Sequence, residues 1–214
     1  MATIHKWEYL ATPLLIHNTK AILDNFGSDG WELVQVIQGP QGPESLVAYF
    51  KRPITEGAWF SMSTVEQKLS ERGLSLPEVA KPVAAYVPAV VTGNFVQTSG
   101  QLPLVGGKLE VTGKVGAEVK AEEAKKEAEK ATLNALAAIK AEIGDLDRIT
   151  RVIKVTGYVA SAPDFTAQPG VINGASELLG DVLGEAGSHS RAAVGVAALP
   201  LDASVEVDLL VEFR

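Results

Sequence analysis

His189-Ser190-Arg191-Ala192-Ala193-Val194-Gly195-Val196-Ala197-Ala198-Leu199-Pro200-Leu201-Asp202-Ala203-Ser204-Val205-Glu206-Val207-Asp208-Leu209-Leu210-Val211-Glu212-Phe213-Arg214 closes the chain, and its reading decides the fold. From Val205 to Phe213 the odd positions are Val, Val, Leu, Val and Phe, while the even ones are Glu206, Asp208, Leu210 and Glu212. Period-two alternation of this kind predicts a strand with one buried face and one mostly polar face. Upstream, Ala192, Val194, Val196 and Ala198 form an apolar face, and Ala193, Gly195 and Ala197 put small residues beside Arg191 on the other. The turn-forming run Leu199 to Ser204 predicts that the two strands join as a hairpin-like pair. One strand then begins with an arginine on a face kept clear of bulk, and the next carries a glutamate near its start. That arrangement is suited to the floor of a small-ligand site.

Working back from this pair, Gly170 to Gly184 predicts a helix with Val171, Ser176, Leu178, Leu179, Val182 and Leu183 mainly on one face. Ile149 to Ala160 alternates as a long strand that Ser161-Ala162-Pro163-Asp164 breaks. A second helix spans Ala117 to Ile143, with Ala121, Ala124, Ala128, Ala131, Leu136, Ile139 and Ile143 near the 3.6-residue repeat and Gly144 as its stop. Its Lys/Glu-rich first half reads as a solvated face. Val83 to Thr92 and Phe95 to Gln101 form strands about a Gly93-Asn94 turn, and Gly106-Gly107 marks another turn. Ser63 or Thr64 caps a short helix, Gln67 suits a capping box, and Gly73 ends it. The order β-β-α-β-α-β-β, with helices on one face of a sheet, is an α+β arrangement.

The first residues read as a separate β-α-β-β unit. Ile4 to Leu10 is a strand, Asn18 caps a helix that stops at Gly27, and Trp31 to Ile37 and Leu46 to Lys51 are strands around the Gly39-Pro40-Gln41-Gly42-Pro43 turn. The expected division is residues 1–54 as a small domain, 55–63 as a linker and 64–214 as the main domain. Met62 reads as an ancestral start, which suggests a fusion of two once-separate chains. At about 55 residues the first unit is marginal as an independent fold. Trp7, Tyr9, Trp31 and Tyr49 are expected to form its core rather than a ligand site. The unit resembles a family of short bacterial domains through Trp-Glu-Tyr (7–9), Asp-Gly-Trp-Glu-Leu-Val (29–34) and Ala-Tyr-Phe-Lys-Arg-Pro (48–53).

Composition narrows the chemistry. The chain has 214 residues, no cysteine and a formal net charge of −7. Thiol nucleophiles, disulfides and cysteine metal sites are excluded. An acidic balance without a concentrated basic face argues against a nucleic-acid partner. No signal pattern or membrane-spanning apolar run occurs, so the expected location is cytoplasmic with no membrane partner. The histidines, His5, His17 and His189, have no metal-ligand spacing. Neither a phosphate-binding Gly-x-x-x-x-Gly-Lys-Ser/Thr loop nor a dinucleotide fingerprint is present, and no serine sits in a nucleophile elbow. What remains is Arg191 with Glu206. A guanidinium grips a carboxylate by two parallel hydrogen bonds, and a glutamate beside it positions water and moves a proton. Spacing alone leaves open a second reading, an exposed cross-strand ion pair worth ~0–1 kcal/mol.

Several motifs resemble the RidA/YjgF family. They are Ser190-Arg191-Ala192, Val194, Ala197, Leu199-Pro200 and Val205-Glu206 at the end of the chain. Earlier come Tyr86, Gly93-Asn94, Thr98-Ser99-Gly100-Gln101-Leu102-Pro103, Leu133-Asn134-Ala135-Leu136, Asp147-Arg148-Ile149 and Asn173. The resemblance covers about residues 83–214. Two positions depart: the family has Pro or Ala where His189 stands, and Met or Ile where Val207 stands. The first change alters the site entrance; the second is conservative. The resemblance implies a homotrimeric, chorismate-mutase-like fold with ligand clefts between subunits. It also implies deamination of 2-imino or enamine acids to 2-keto acids and ammonia, a metabolite damage-control reaction that needs no cofactor and no metal. Arg191 would bind the substrate carboxylate, Glu206 would help position water, and Tyr86, Ser99 and Asn173 would line the cleft. A trimeric protein that binds or scaffolds small carboxylates without turnover is the alternative.

Overall fold

A computed structural model of the chain describes residues 7–14, 19–38, 46–53, 63–79 and 86–214. The chain divides into two compact units, Met1–Ser61 and Met62–Arg214.

In the first unit, β1 (Trp7–Leu14), α1 (Thr19–Ser28), β2 (Glu32–Gln38) and β3 (Leu46–Pro53) follow the expected order. The three strands form an antiparallel sheet in the order β1-β3-β2. Ala48 and Phe50 of β3 are buried against Phe26, Ile22, Leu23, Leu10 and Trp31, with the Phe26 and Phe50 rings 4.7 Å apart. One helix covers only one sheet face, so the expected all-aromatic core is corrected. Trp31 packs inward under the Arg52 guanidinium, whereas Tyr9 and Tyr49 lie 71% and 39% exposed on the uncovered face. The Trp7 side chain, His5, His17, the proposed Asn18 cap and the 39–43 turn lie outside the described residues. Gly27 does not stop α1. The helix runs one residue further, and the chain reverses at Gly30, whose φ of +81° suits a residue without a Cβ.

The second unit begins with α2 (Thr64–Glu71), capped by Ser63 rather than Thr64. Ser63 Oγ accepts from Glu66 N, which places Glu66, not Gln67, at the third helical position. Thr64 N and Val65 N both donate to the Asp147 carboxylate, at 2.7 and 3.0 Å. The first three backbone donors of the helix are thereby satisfied, two of them by a residue 82 or 83 positions away.

Next come β4 (Ala89–Thr92) and β5 (Phe95–Thr98), a hairpin about Gly93-Asn94, then the small β6–β7 pair (Leu104–Val105, Lys108–Leu109). The long α3 (Ala121–Ile143), β8 (Ile149–Ala160), α4 (Gln168–Leu183), β9 (Ser190–Val196) and β10 (Val205–Phe213) complete the chain. α3 begins four residues later than its apolar pattern suggests. Gly116, at φ +93°, instead turns the chain so that Val119 N and Ala117 N both donate to Lys114 O. α3 and α4 cover one face of a five-stranded sheet whose order is β4-β5-β10-β8-β9.

That order overturns the expected terminal hairpin. β9 pairs with β8 in parallel, and β10 pairs antiparallel with the other edge of β8, so β8 stands between them. The physical reason lies in β8, a 12-residue strand whose Val152, Val155, Gly157 and Val159 are buried. Both of its edges carry backbone donors and acceptors that need partners, and a β9–β10 hairpin would leave one edge unpaired. The Leu199–Ser204 turn therefore leads round the end of β8, where Ala160 N donates to Ser204 O.

The faces of β9 are exchanged too. Arg191 and Ala193 are level with Val155 and Gly157 on the helix-covered side, and Ala192 and Val194 are level with Thr156 and Tyr158 on the open side. β10 follows its alternation: Val205, Val207, Leu209 and Val211 are fully buried under the helices, and Glu206, Asp208, Leu210 and Glu212 face the open side.

Candidate functional site

Arg191 leaves the start of β9 on the side of α4. Its Nη1 donates to Asn173 Oδ1 at 2.8 Å and to Ser176 Oγ at 3.0 Å. Asn173 and Ser176 are three residues apart on α4, so both project from one face of the helix. Ser176 Oγ also lies 3.0 Å from His189 Nε2, and His189 Nδ1 lies 2.6 Å from Gly187 O. Asn173 and Arg191, both expected at the site, are thus brought together, with Asn173 holding the guanidinium. The bonds to α4 use one terminal nitrogen, and the Arg191 side chain remains exposed.

Glu206 belongs to a second group. It lies on the open face of the sheet, level with Tyr158 of β8. Its carboxylate sits directly over Gly100, where an added Cβ would come within 1.7 Å of Oε1. Burial pushes the Glu206 carboxyl above the usual carboxylate range, and the neighbouring Asp208 charge adds to the rise. Tyr158 donates its hydroxyl to Asp208 Oδ2 at 3.1 Å, and burial followed by the Asp208 charge raises the phenol. Ser99, next to Gly100, donates its hydroxyl to Val87 O at 2.7 Å and its N–H to Pro88 O at 2.8 Å. Gln101 and Val207 exchange backbone hydrogen bonds, which fixes the Ser99–Gly100 turn against β10 beside Glu206. Tyr86, 51% exposed, stands just ahead of this segment.

Within one chain the two groups do not meet. Arg191 and Glu206 lie on opposite faces, two strands apart and three residues out of level. Strand spacing and rise put their Cα atoms roughly 14 Å apart. The cross-strand ion pair that spacing alone allowed is therefore absent. Each group has one open side: Arg191 at the free edge of β9, and Glu206 on the uncovered face.

Among the described residues no group of three His, Asp or Glu side chains is arranged to hold a metal, and no helix is long and apolar enough to cross a membrane. A cavity of about 620 Å³ lies away from both groups, lined by Pro77, Val105, Lys130 and Asn134 among others. Asn134 holds that wall by donating to Leu102 O and Leu104 O.

Comparison with known proteins fits this fold. Residues 66–213 match the model of the YjgF/chorismate-mutase-like family, whose description carries the word endoribonuclease. A Trypanosoma cruzi protein named TCP17 is 45% identical over 153 residues, covering 70% of this chain and 94% of the relative. A 2-iminobutanoate/2-iminopropanoate deaminase of Dermatophagoides farinae is 30% identical over 145 residues, covering 66% and 95%. A crystal structure of an Agrobacterium tumefaciens protein of unknown function is 50% identical and superposes with a TM-score of 0.66, covering 71% of this chain and 94% of that one. The chain belongs to the YjgF/RidA family.

Proposed function

We propose that this protein hydrolyses 2-imino acids, or their enamine tautomers, to 2-keto acids and ammonia. The observation that carries the reading is Arg191, held on one nitrogen by Asn173 and Ser176 while the side chain stays open to a ligand. A guanidinium fixed in this way presents parallel N–H groups to a carboxylate. The name of the mite relative supports the choice of imine hydrolysis.

Residues 64–214 form the catalytic domain in this reading, and residues 1–54 an accessory domain. Three copies associate through the open sheet face, where Val90, Phe95 and Val194 are exposed apolar side chains. A cleft then forms between copies, with Arg191 and Asn173 from one and Glu206, Ser99 and Tyr86 from its neighbour. Arg191 fixes the substrate carboxylate so that the C=N carbon faces an ordered water. Glu206 takes a proton from that water as its oxygen adds to carbon and returns it to the imine nitrogen. Collapse of the carbinolamine releases ammonia and leaves the ketone. A carboxyl raised above its usual range holds the proton it takes more firmly than an ordinary carboxylate, which suits it to a proton shuttle. Imines hydrolyse unaided in water, so positioning and proton transfer suffice without a cofactor.

The test generates 2-iminobutanoate and 2-iminopropanoate in place with an amino-acid oxidase and follows their decay. Wild type should accelerate decay, and Arg191→Ala should lose at least about tenfold of that acceleration, as removal of a charged hydrogen-bonding partner does. A folded wild type that accelerates neither imine overturns the reading. Thermal stabilisation by small carboxylates would then identify the protein as a binder without turnover.

A further inference from the structure

Outside the residues that the mechanism uses, two polar side chains converge on Arg191 in a fixed order. Gly187 O can only accept, so the His189 ring carries its proton on Nδ1 and donates across the 2.6 Å contact. In the neutral ring Nε2 is then an acceptor, and the Ser176 hydroxyl 3.0 Å away donates to it. The lone pairs of Ser176 Oγ are left facing Arg191 Nη1, which donates at 3.0 Å. The chain runs in one direction, from Arg191 through Ser176 and His189 to Gly187.

Its far end is anchored by packing. Gly187 is buried so tightly on α4 that a Cβ there would lie 2.3 Å from Leu179 O. The carbonyl that orients the imidazole is therefore fixed by contact with the same helix that carries Ser176.

We infer that Ser176 and His189 are positioning residues that hold the Arg191 guanidinium in its ligand-gripping orientation, His189 acting through the Ser176 hydroxyl. The inference rests on the carboxylate-binding reading of Arg191. Without Ser176 the guanidinium keeps only Asn173 and rotates about its long side chain, so ligand binding pays to immobilise it. Without His189 the Ser176 hydroxyl loses its acceptor and rotates, and its lone pairs no longer face Arg191.

The test uses full-length protein with 2-oxobutanoate as the probe. Ser176→Ala should weaken binding about tenfold, equivalent to about 1.4 kcal/mol. His189→Ala should weaken it about threefold, and Ser176→Thr, which keeps a hydroxyl, should restore binding to within about threefold of wild type. Because His189 works through Ser176, the double variant should bind no worse than Ser176→Ala alone. Losses that simply multiply in the double variant would overturn the inference.

A second measurement needs no ligand: nitrogen NMR of the Arg191 guanidinium, with hindered Nη rotation expected in wild type and free rotation in Ser176→Ala. An unchanged Arg191 signal in both single variants overturns the inference. The expected signals with no binding of 2-oxobutanoate to wild type uphold the positioning role and instead count against the carboxylate reading.

Discussion

Glu206 occupies the space that a side chain at position 100 would fill, so glycine there is a packing requirement of the site rather than of the backbone. Gly100→Ala should leave the fold intact, because the obstructing atoms are the mobile end of a side chain. It should still cut imine turnover on the order of tenfold or more by displacing the carboxylate, as misplacing a catalytic group does. Steady-state kinetics beside a melting curve separates the two effects. Glu206 itself has a raised folded-state pKa, so its contribution to stability is present below the unfolded carboxylate value and lost as pH rises through the folded one. Once ionised, the half-buried group is a liability. Glu206→Gln should therefore raise the melting temperature by on the order of a few degrees at pH 7 and by almost nothing in acid, while abolishing turnover. At this scale the sequence offers Arg191, Glu206 and Asn173 as candidates by residue type and motif, and the structure brings Asn173 onto Arg191 but leaves Glu206 apart. Ser176 reads from the sequence only as part of the packed helix face, because its bond to Arg191 is set by how α4 lies on β9. A serine at three residues' spacing from Asn173 was the only local signal.

At the level of elements, α2 depends on a carboxylate from the distant Asp147. Burial pushes the Asp147 carboxyl up, but the N–H groups of Thr64 and Val65 outweigh that and hold it below the usual range. Its contribution is therefore present above the unfolded carboxylate pKa and lost as pH falls through the folded value. Asp147→Ala should destabilise the main unit by about 1 kcal/mol at neutral pH, the size of a lost helix cap, and by much less near pH 2. Denaturant melts at the two pH values check the sign. Gly174 in α4 is pressed against its neighbour, since a Cβ would lie 2.0 Å from the backbone oxygen of Lys125 in α3. Backbone cannot step aside as a flexible side chain can, so Gly174→Ala should cost roughly 1–3 kcal/mol. The helices and strands were readable from apolar period, caps and glycine stops. Pairing was not, because period-two alternation gives faces within a strand but not its neighbours. β10 therefore came out with the correct buried face, whereas β9 was joined to the wrong partner and turned over.

For the molecule as a whole, the separation of Arg191 from Glu206 means that the proposed mechanism needs a second copy of the chain. Two strands and opposite faces lie between them, yet each group faces a side of the sheet free of its own helices or an open edge. Spacing alone does not reveal this split, since the two residues are 15 positions apart and read as neighbours, and only the family resemblance pointed to clefts between subunits. A shared cleft makes a quantitative demand: subunits lacking only Arg191 and subunits lacking only Glu206 must complement one another. Arg191→Ala and Glu206→Gln proteins are to be co-expressed, the mixed oligomers isolated by two affinity tags, and imine decay measured against each parent variant. Every mixed cyclic trimer, whether 2:1 or 1:2, has an intact pair at one junction of the ring, so activity of the isolated mixed oligomers should return to about a third of wild type. Mixed oligomers as inactive as either parent would contradict a cleft built from two copies.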